Sequence, residues 1–132
     1  MSVSAFLCAY HEERRIGPAV EQLLPHMERI LVLLSERPWN GEPEADPDRT
    51  AWLLEKYYPT VEIVRGAWTT ETEQRNEGVE RLQTADRVFM ADADEYYTRA
   101  GLQTILNTPA VFGCVVRQET YWKTPEYRYE PP

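Results

Sequence analysis

Two aspartates one residue apart, Asp92 and Asp94, with Glu95 beside them, are the residues of this 132-residue chain best suited to chemistry. They follow Arg87-Val88-Phe89-Met90-Ala91, whose apolar run reads as a strand. In an open α/β sheet, ligands bind beyond the carboxyl ends of the strands. If the extended backbone persists, period-two alternation sends both aspartates to the same side. Two hard oxygen ligands there suit Mg²⁺ or Mn²⁺, with diphosphate oxygens and water completing the shell. Such a cation neutralises a diphosphate as it leaves. The competing reading is an acidic turn capping the next helix, because Asp favours turns and caps. An apolar strand delivers the pair, and the chain is already acidic. Both facts make the cluster easier to explain with a cation present.

Other side chains support a site less directly. Arg75 is placed either to meet a phosphate or to pair with Glu71 one helical turn away. Asn76 in mid-helix is a poor helix former, which favours a functional role. His11 follows the first strand without an evident partner and reads as a solvated turn residue. Trp39 and Trp68 lie beyond strand ends. Trp68 reads as core, and Trp39 is left open between core and a ligand-stacking role. Tyr121, Trp122, Tyr127 and Tyr129 are interleaved with Lys123 and Arg128. They fit an acceptor surface or, more simply, the packing of a late strand.

The elements that must position these groups alternate between strand and helix, which predicts an α/β domain with a mostly parallel sheet. Strands are expected at Val3–Ala9, Ile30–Leu34, Val61–Val64, Arg87–Ala91 and Val111–Val116. Ile16, Val20, Leu23, Leu24 and Met27 recur at helical spacing, so a helix is expected within Glu12–Met27, with Pro18 in its first turn and Pro25 near its end. Further helices are expected at Thr50–Tyr58 behind Asp48, from a Thr70 or Thr72 cap to about Gln83, and from a Thr98 cap to about Leu106. Ser35–Asp48 is rich in proline and acid and reads as a long loop, a common place for function.

Composition narrows the classes of partner. Hydrophobic residues make up 42%, enough for a packed core, and the formal net charge is −8. The acidic balance argues against nucleic acid, which needs a basic face. An anionic ligand must then be held locally, by a metal, a helix N-terminus or a few arginines. Cys8 and Cys114 sit in apolar runs without zinc spacing and read as buried thiols. No apolar run approaches the ~20 residues of a membrane span, and no signal peptide is evident, so a cytoplasmic location is expected.

Three short segments, in order, resemble the family 2 glycosyltransferases. Ala5-Phe6-Leu7-Cys8-Ala9-Tyr10-His11-Glu12-Glu13 is similar to the family's opening strand, polar turn and glutamate. Gln74-Arg75-Asn76-Glu77-Gly78 is similar to its Arg-Asn-x-Gly element. Met90-Ala91-Asp92-Ala93-Asp94-Glu95 is similar to its strand-end Asp-x-Asp. The resemblance covers about Val3 to Leu106. It implies the glycosyltransferase A fold, a Rossmann-like sheet flanked by helices, and a nucleoside-diphosphate sugar as donor. It places Ala9, Tyr10 and Glu12 near the base, Arg75 and Asn76 beside the donor pocket, and Asp92 and Asp94 on metal and diphosphate. Where the family has a base-contacting aspartate after the second strand, this chain reads Ser35-Glu36-Arg37-Pro38-Trp39-Asn40, with Glu36 as the substitute.

These readings together predict one glycosyltransferase-like domain over 1–132. Its donor-binding part is about 1–106, and an acceptor-side region begins at about 107. The expected activity is metal-dependent transfer, with Mn²⁺ or Mg²⁺, of a sugar to an unidentified acceptor. The family's general base lies well after the Asp-x-Asp, whereas this chain ends at Pro132, so a shortened chain is expected and Glu119 is the local candidate for the base. The alternatives are a donor-binding remnant without catalysis and a nucleotidyltransferase. The latter is disfavoured because Ala9 to Arg15 holds no glycine- and lysine-rich phosphate loop.

Overall fold

The computed structural model describes residues 2–39, 46–108, 120–122 and 124–129. They divide into two compact units, Met1–Tyr96 and Tyr97–Pro132. The first is a four-stranded, all-parallel sheet of β1 (Val3–Ala9), β2 (Ile30–Ser35), β3 (Glu62–Gly66) and β4 (Arg87–Asp92), in the order β3-β2-β1-β4. The helices between strands are α1 (Ile16–Glu21), α2 (Thr50–Tyr57) and α3 (Glu71–Arg81). The chain winds outward from β1 through β2 to β3, then returns to the other side of β1 as β4. Right-handed crossovers therefore put α1 and α2 on one face and α3 on the other. The reversal leaves a crevice at the carboxyl ends of β1 and β4.

Burial follows this geometry. β1 and β2 are central and almost wholly buried, which is why they read as unbroken apolar runs. On the α3 side, Phe6, Cys8, Leu31, Leu33, Trp68 and Leu82 form one core, with Val64 packed against it. At Gly78, α3 lies tight against the sheet, since a Cβ there would stand 2.6 Å from the Phe6 ring.

Several boundaries differ from the sequence expectation. The predicted helix over Glu12–Met27 is shorter: α1 ends at Glu21, and Leu24–His26 forms a separate 3₁₀ turn. Pro25, which has no N–H to donate, lies in that turn and blocks continuation of the α-helix. β3 runs to Gly66, two residues beyond its expected end, as a partly exposed edge strand. Thr70 caps α3, its side chain accepting from the Glu73 N–H.

In the second unit, Thr98 caps α4 (Arg99–Asn107) by accepting from the Gly101 N–H at 2.9 Å. The late aromatic segment forms an antiparallel hairpin of β5 (Thr120–Trp122) and β6 (Thr124–Tyr129). The expected strand Val111–Val116, with Cys114 and Glu119, lies outside the described residues. Among the described residues, no helix is long and apolar enough to cross a membrane.

Candidate functional site

A cavity of ≈ 490 Å³ opens at the carboxyl ends of β1, β2 and β4, at the reversal of strand order. Ligand pockets fall in this size range and at this kind of position. Cys8, Ala9 and Tyr10 line it from the end of β1 and the turn after it, and Ser35, Arg37, Pro38 and Trp39 from the end of β2 and the loop that follows. Glu71, Gln74 and Arg75 line it from the start of α3, and Asp92, Ala93 and Asp94 from β4 and its turn. Glu12 completes the lining.

Asp92 is the register neighbour of Cys8, so its side chain falls on the α3 face of the sheet. That placement explains its contact with α3. Arg75 Nη2 donates to Asp92 Oδ1 at 2.8 Å and to Glu71 Oε1 at 2.6 Å. The two roles open for Arg75 in the sequence thus converge on one guanidinium that bridges two carboxylates. The strand stops at Asp92, and Ala93 and Asp94 form a turn rather than the extended backbone the period-two argument needed. The turn is closed from both ends: the Glu95 N–H donates to the Asp92 carbonyl at 3.1 Å, and Glu95 Oε1 accepts from the Asp92 N–H at 2.7 Å. Asp92 and Asp94 still face the same cavity.

The cavity's charge is unbalanced. Among the described residues, Glu12, Glu71, Asp92 and Asp94 face Arg37 and Arg75 alone. Burial first, and then the Asp94, Asp48 and Asp92 carboxylates, push the Glu12 carboxyl above its usual range, with Arg15 opposing. Burial likewise pushes the Cys8 thiol up to about 12, with Arg75 opposing and Asp92 and Glu71 adding. Such a thiol stays protonated and is no nucleophile. The described residues contain no cluster of three or more His, Cys, Asp or Glu able to hold a metal. Asp92 and Asp94 therefore fit a cation only if a bound ligand and water supply its remaining oxygens, as Mg²⁺ sites on phosphates commonly do.

The turn after β1 is held from α2. The Glu12 N–H donates to Thr50 Oγ1 at 3.0 Å and the Glu13 N–H to Asp48 Oδ2 at 3.3 Å, while Asp48 Oδ1 accepts from the Thr50 N–H at 2.9 Å. His11 adopts φ 51°, an uncommon left-handed conformation for a non-glycine residue, and stacks on Tyr10 with ring centroids 4.1 Å apart. Burial pushes the Asp48 carboxyl up, but the Thr50 and Glu13 hydrogen bonds, with nearby His11, outweigh it and hold the group below its ordinary value of 3.8. A depressed carboxyl stabilises the fold above its unfolded pKa and loses that effect as pH falls through the folded value. The N-cap of α2 is Arg49 rather than the expected Asp48, which acts instead through these hydrogen bonds. Asp48→Ala is therefore expected to cost about 1 kcal/mol at neutral pH, the net worth of a typical hydrogen bond. The gap between parent and variant in urea unfolding should shrink as pH drops below 3.8. A gap that stays constant down to acid pH would remove the carboxylate from this latch.

Of the residues singled out in the sequence, the cavity gathers Ala9, Tyr10, Glu12, Arg75, Asp92 and Asp94. It does not gather Glu36 or Asn76. Both are exposed and absent from its lining. Glu36 spends its N–H on the Gly66 carbonyl at 2.8 Å, at the far edge of β2. Asn76 points away because the helical period puts Glu71, Gln74, Arg75 and Gly78 on the inner face of α3. The sequence reading missed Arg37 and Gln74. Gln74 is fully buried, and a signal for it existed, since it precedes Gly78 and Leu82 at i+4 spacing on the sheet-facing stripe. Arg37 carried no such signal. It is placed by the turn after β2, where the Ser35 hydroxyl donates to the Arg37 carbonyl and accepts from the Arg37 N–H.

No protein-family profile matches the chain, and no curated protein matches it. Among solved structures it is similar to the crystal structure of S. aureus TarS, with a TM-score of 0.53 and 17% identity. The match covers 94% of this chain and 24% of that one, so the chain spans about a quarter of the TarS structure. At this identity the likeness concerns the fold alone: a parallel sheet flanked by helices, of Rossmann-like type.

Proposed function

We propose that the chain binds a nucleoside-diphosphate sugar in the switch-point cavity with the help of Mn²⁺ or Mg²⁺, and serves the transfer of that sugar to an acceptor. The observation that carries this reading is the convergence of Asp92, Asp94, Arg37, Tyr10 and Trp39 on one cavity of ligand size. The glycosyltransferase-type fold shared with TarS adds to it. A diphosphate brought to four carboxylates and two guanidiniums would meet net repulsion. A divalent cation held by Asp92 and Asp94 would cancel that excess negative charge and would stabilise a leaving diphosphate. Arg75 orients Asp92 and pairs with one of its two carboxylate oxygens. The turn at Tyr10 to Glu12 borders the nucleoside. Glu119 remains the proposed general base. The test is calorimetry of UDP-, GDP- and dTDP-sugars with and without Mn²⁺. Binding that is equally tight with and without the metal would overturn the proposed role of Asp92 and Asp94.

Arg37 is the cation available to the donor in this reading. Arg75 is committed to Glu71 and Asp92, whereas Arg37 has no ion pair among the described residues. Arg37→Ala is expected to weaken nucleoside-diphosphate binding about tenfold, the effect of one charge-assisted hydrogen bond. Thermal stability should stay within the range of ordinary surface changes. Unchanged affinity would place the phosphates elsewhere.

A further inference from the structure

We infer that Trp39 is the surface on which the donor's base stacks, and that buried Gln74 is the positioning residue that holds its indole in place. The inference rests on the donor site proposed above. It adds that the base is held by its face and not read at its edge.

The two other tryptophans with described surroundings set the contrast. Trp68 is 8% exposed, packs in the core, and donates its indole N–H to Glu77 at 3.1 Å. Trp52 lies on α2, flanked by Arg49 and Lys56, away from the cavity. Trp39 lines the cavity and is 40% exposed. Its one polar group is already used, because Nε1–H donates to Gln74 Oε1 at 2.8 Å. The other end of the same amide, Gln74 Nε2, donates to the Leu33 carbonyl at 2.6 Å. Gln74 is 0% exposed. A buried amide is costly unless both ends are satisfied, and an apolar side chain would fill this position on the sheet-facing stripe of α3 without that requirement. What the amide adds is a rigid link from the backbone of β2 to the indole at the cavity wall.

With its N–H turned inward, Trp39 can offer a ligand only its ring. Glu36, the carboxylate that the sequence resemblance put against a base edge, is exposed and outside the cavity lining. Stacking tolerates every base, since each has a π-face, and alanine substitution of such aromatics costs about 5- to 150-fold in affinity. The site should therefore accept several nucleoside diphosphates with similar affinity.

The test titrates the full chain, in Mn²⁺, with UDP, GDP, ADP and dTDP, and with inorganic diphosphate as the ligand that lacks a base. Calorimetry and tryptophan fluorescence are followed together. The expected result is quenching by all four nucleotides and not by diphosphate, with affinities for the four within about tenfold of one another. Trp39→Leu should lose the quenching and about 5- to 150-fold of nucleotide affinity, while diphosphate affinity changes little. Trp39→Phe should restore most of the nucleotide affinity. Gln74→Leu should copy Trp39→Leu and shift the emission of the freed indole to the red. If Gln74→Leu fails to fold, the exposed Trp39 variants still decide the point. Nucleotide affinity unchanged in Trp39→Leu, or a preference above about 100-fold for one base, would overturn the inference. Metal-dependent diphosphate binding without any gain from a base would leave the metal site standing and remove only the stacking surface. Absence of both kinds of binding would remove both.

Discussion

Asp94→Asn is expected to lower Mn²⁺-dependent affinity for a nucleoside diphosphate about 100-fold. Removal of outer-shell partners of a metal ligand already costs 10- to 100-fold, so loss of a ligand itself should reach the top of that range. Asp94 is the cleaner of the two aspartates to change. It is exposed in the turn after β4, and no ion pair or side-chain hydrogen bond ties it to the described residues. The substitution removes a charge and leaves the turn intact, because that turn is closed by Glu95 and the Asp92 backbone. Asp92→Asn would be harder to interpret, since it also breaks the 2.8 Å pair with Arg75. The control is binding without metal, which should be weak in both proteins and no weaker in Asp94→Asn, because the substitution removes a repelling charge. If Asp94→Asn binds as tightly as the parent in Mn²⁺, the cation does not sit between these aspartates. Tighter binding by the variant both with and without Mn²⁺ would mean that Asp94 acts only as a repulsive charge on the diphosphate.

The sequence revealed the strands of this sheet and the later helices to within about two residues, and misjudged the extent of the first helix, for a physical reason. β1 and β2 are central parallel strands buried on both faces, so their apolar runs have sharp edges at the polar turns that follow. The Glu12–Met27 pattern is equally periodic, yet periodicity registers only which face is buried. The 3₁₀ turn at Leu24–His26 keeps that burial while the backbone departs from the α-helix. Within the site, the motif residues borne by strand ends and the inner face of α3 were legible, because chain order and side-chain period place them. Arg37 and Trp39 were less so. Their position depends on a loop whose path is set by the Ser35 hydroxyl and the Gln74 amide, contacts between residues far apart in sequence or local to one turn. Asn76 shows the opposite failure. A poor helix former in mid-helix drew attention, but the helical phase turns it to solvent.

The same phase gives the Arg75–Gly78 segment a steric meaning, and Gly78→Leu is expected to destabilise the fold by more than about 3 kcal/mol. A Cβ at Gly78 would lie 2.6 Å from Phe6 Cδ2 and Cγ and 2.8 Å from Cε2. Those atoms have no room to yield, since Phe6 is 0% exposed in the centre of β1, among Leu31, Leu33, Trp68 and Leu82. Alanine provides the sharper test because two effects oppose. Ala favours the helix over Gly by about 1 kcal/mol, whereas overpacking a full core costs about 1–3 kcal/mol. The contact is closer than real Cβ contacts allow, so the clash should win and Gly78→Ala should lose about 1–2 kcal/mol in urea unfolding. Asn76→Ala, on the exposed side of the same helix, should stay within about 0.5 kcal/mol of the parent. The strain must relax by lifting α3 from the sheet, and Gln74 and Arg75 lie one turn away on the same face. Nucleotide affinity should therefore fall in Gly78→Ala even at temperatures where the variant is fully folded. Adding Phe6→Leu should recover part of both losses, because the smaller side chain makes room and the two sites are coupled. If Gly78→Ala is as stable as the parent, with or without Phe6→Leu, then α3 does not depend on this close approach. Its glycine would then need a reason other than packing.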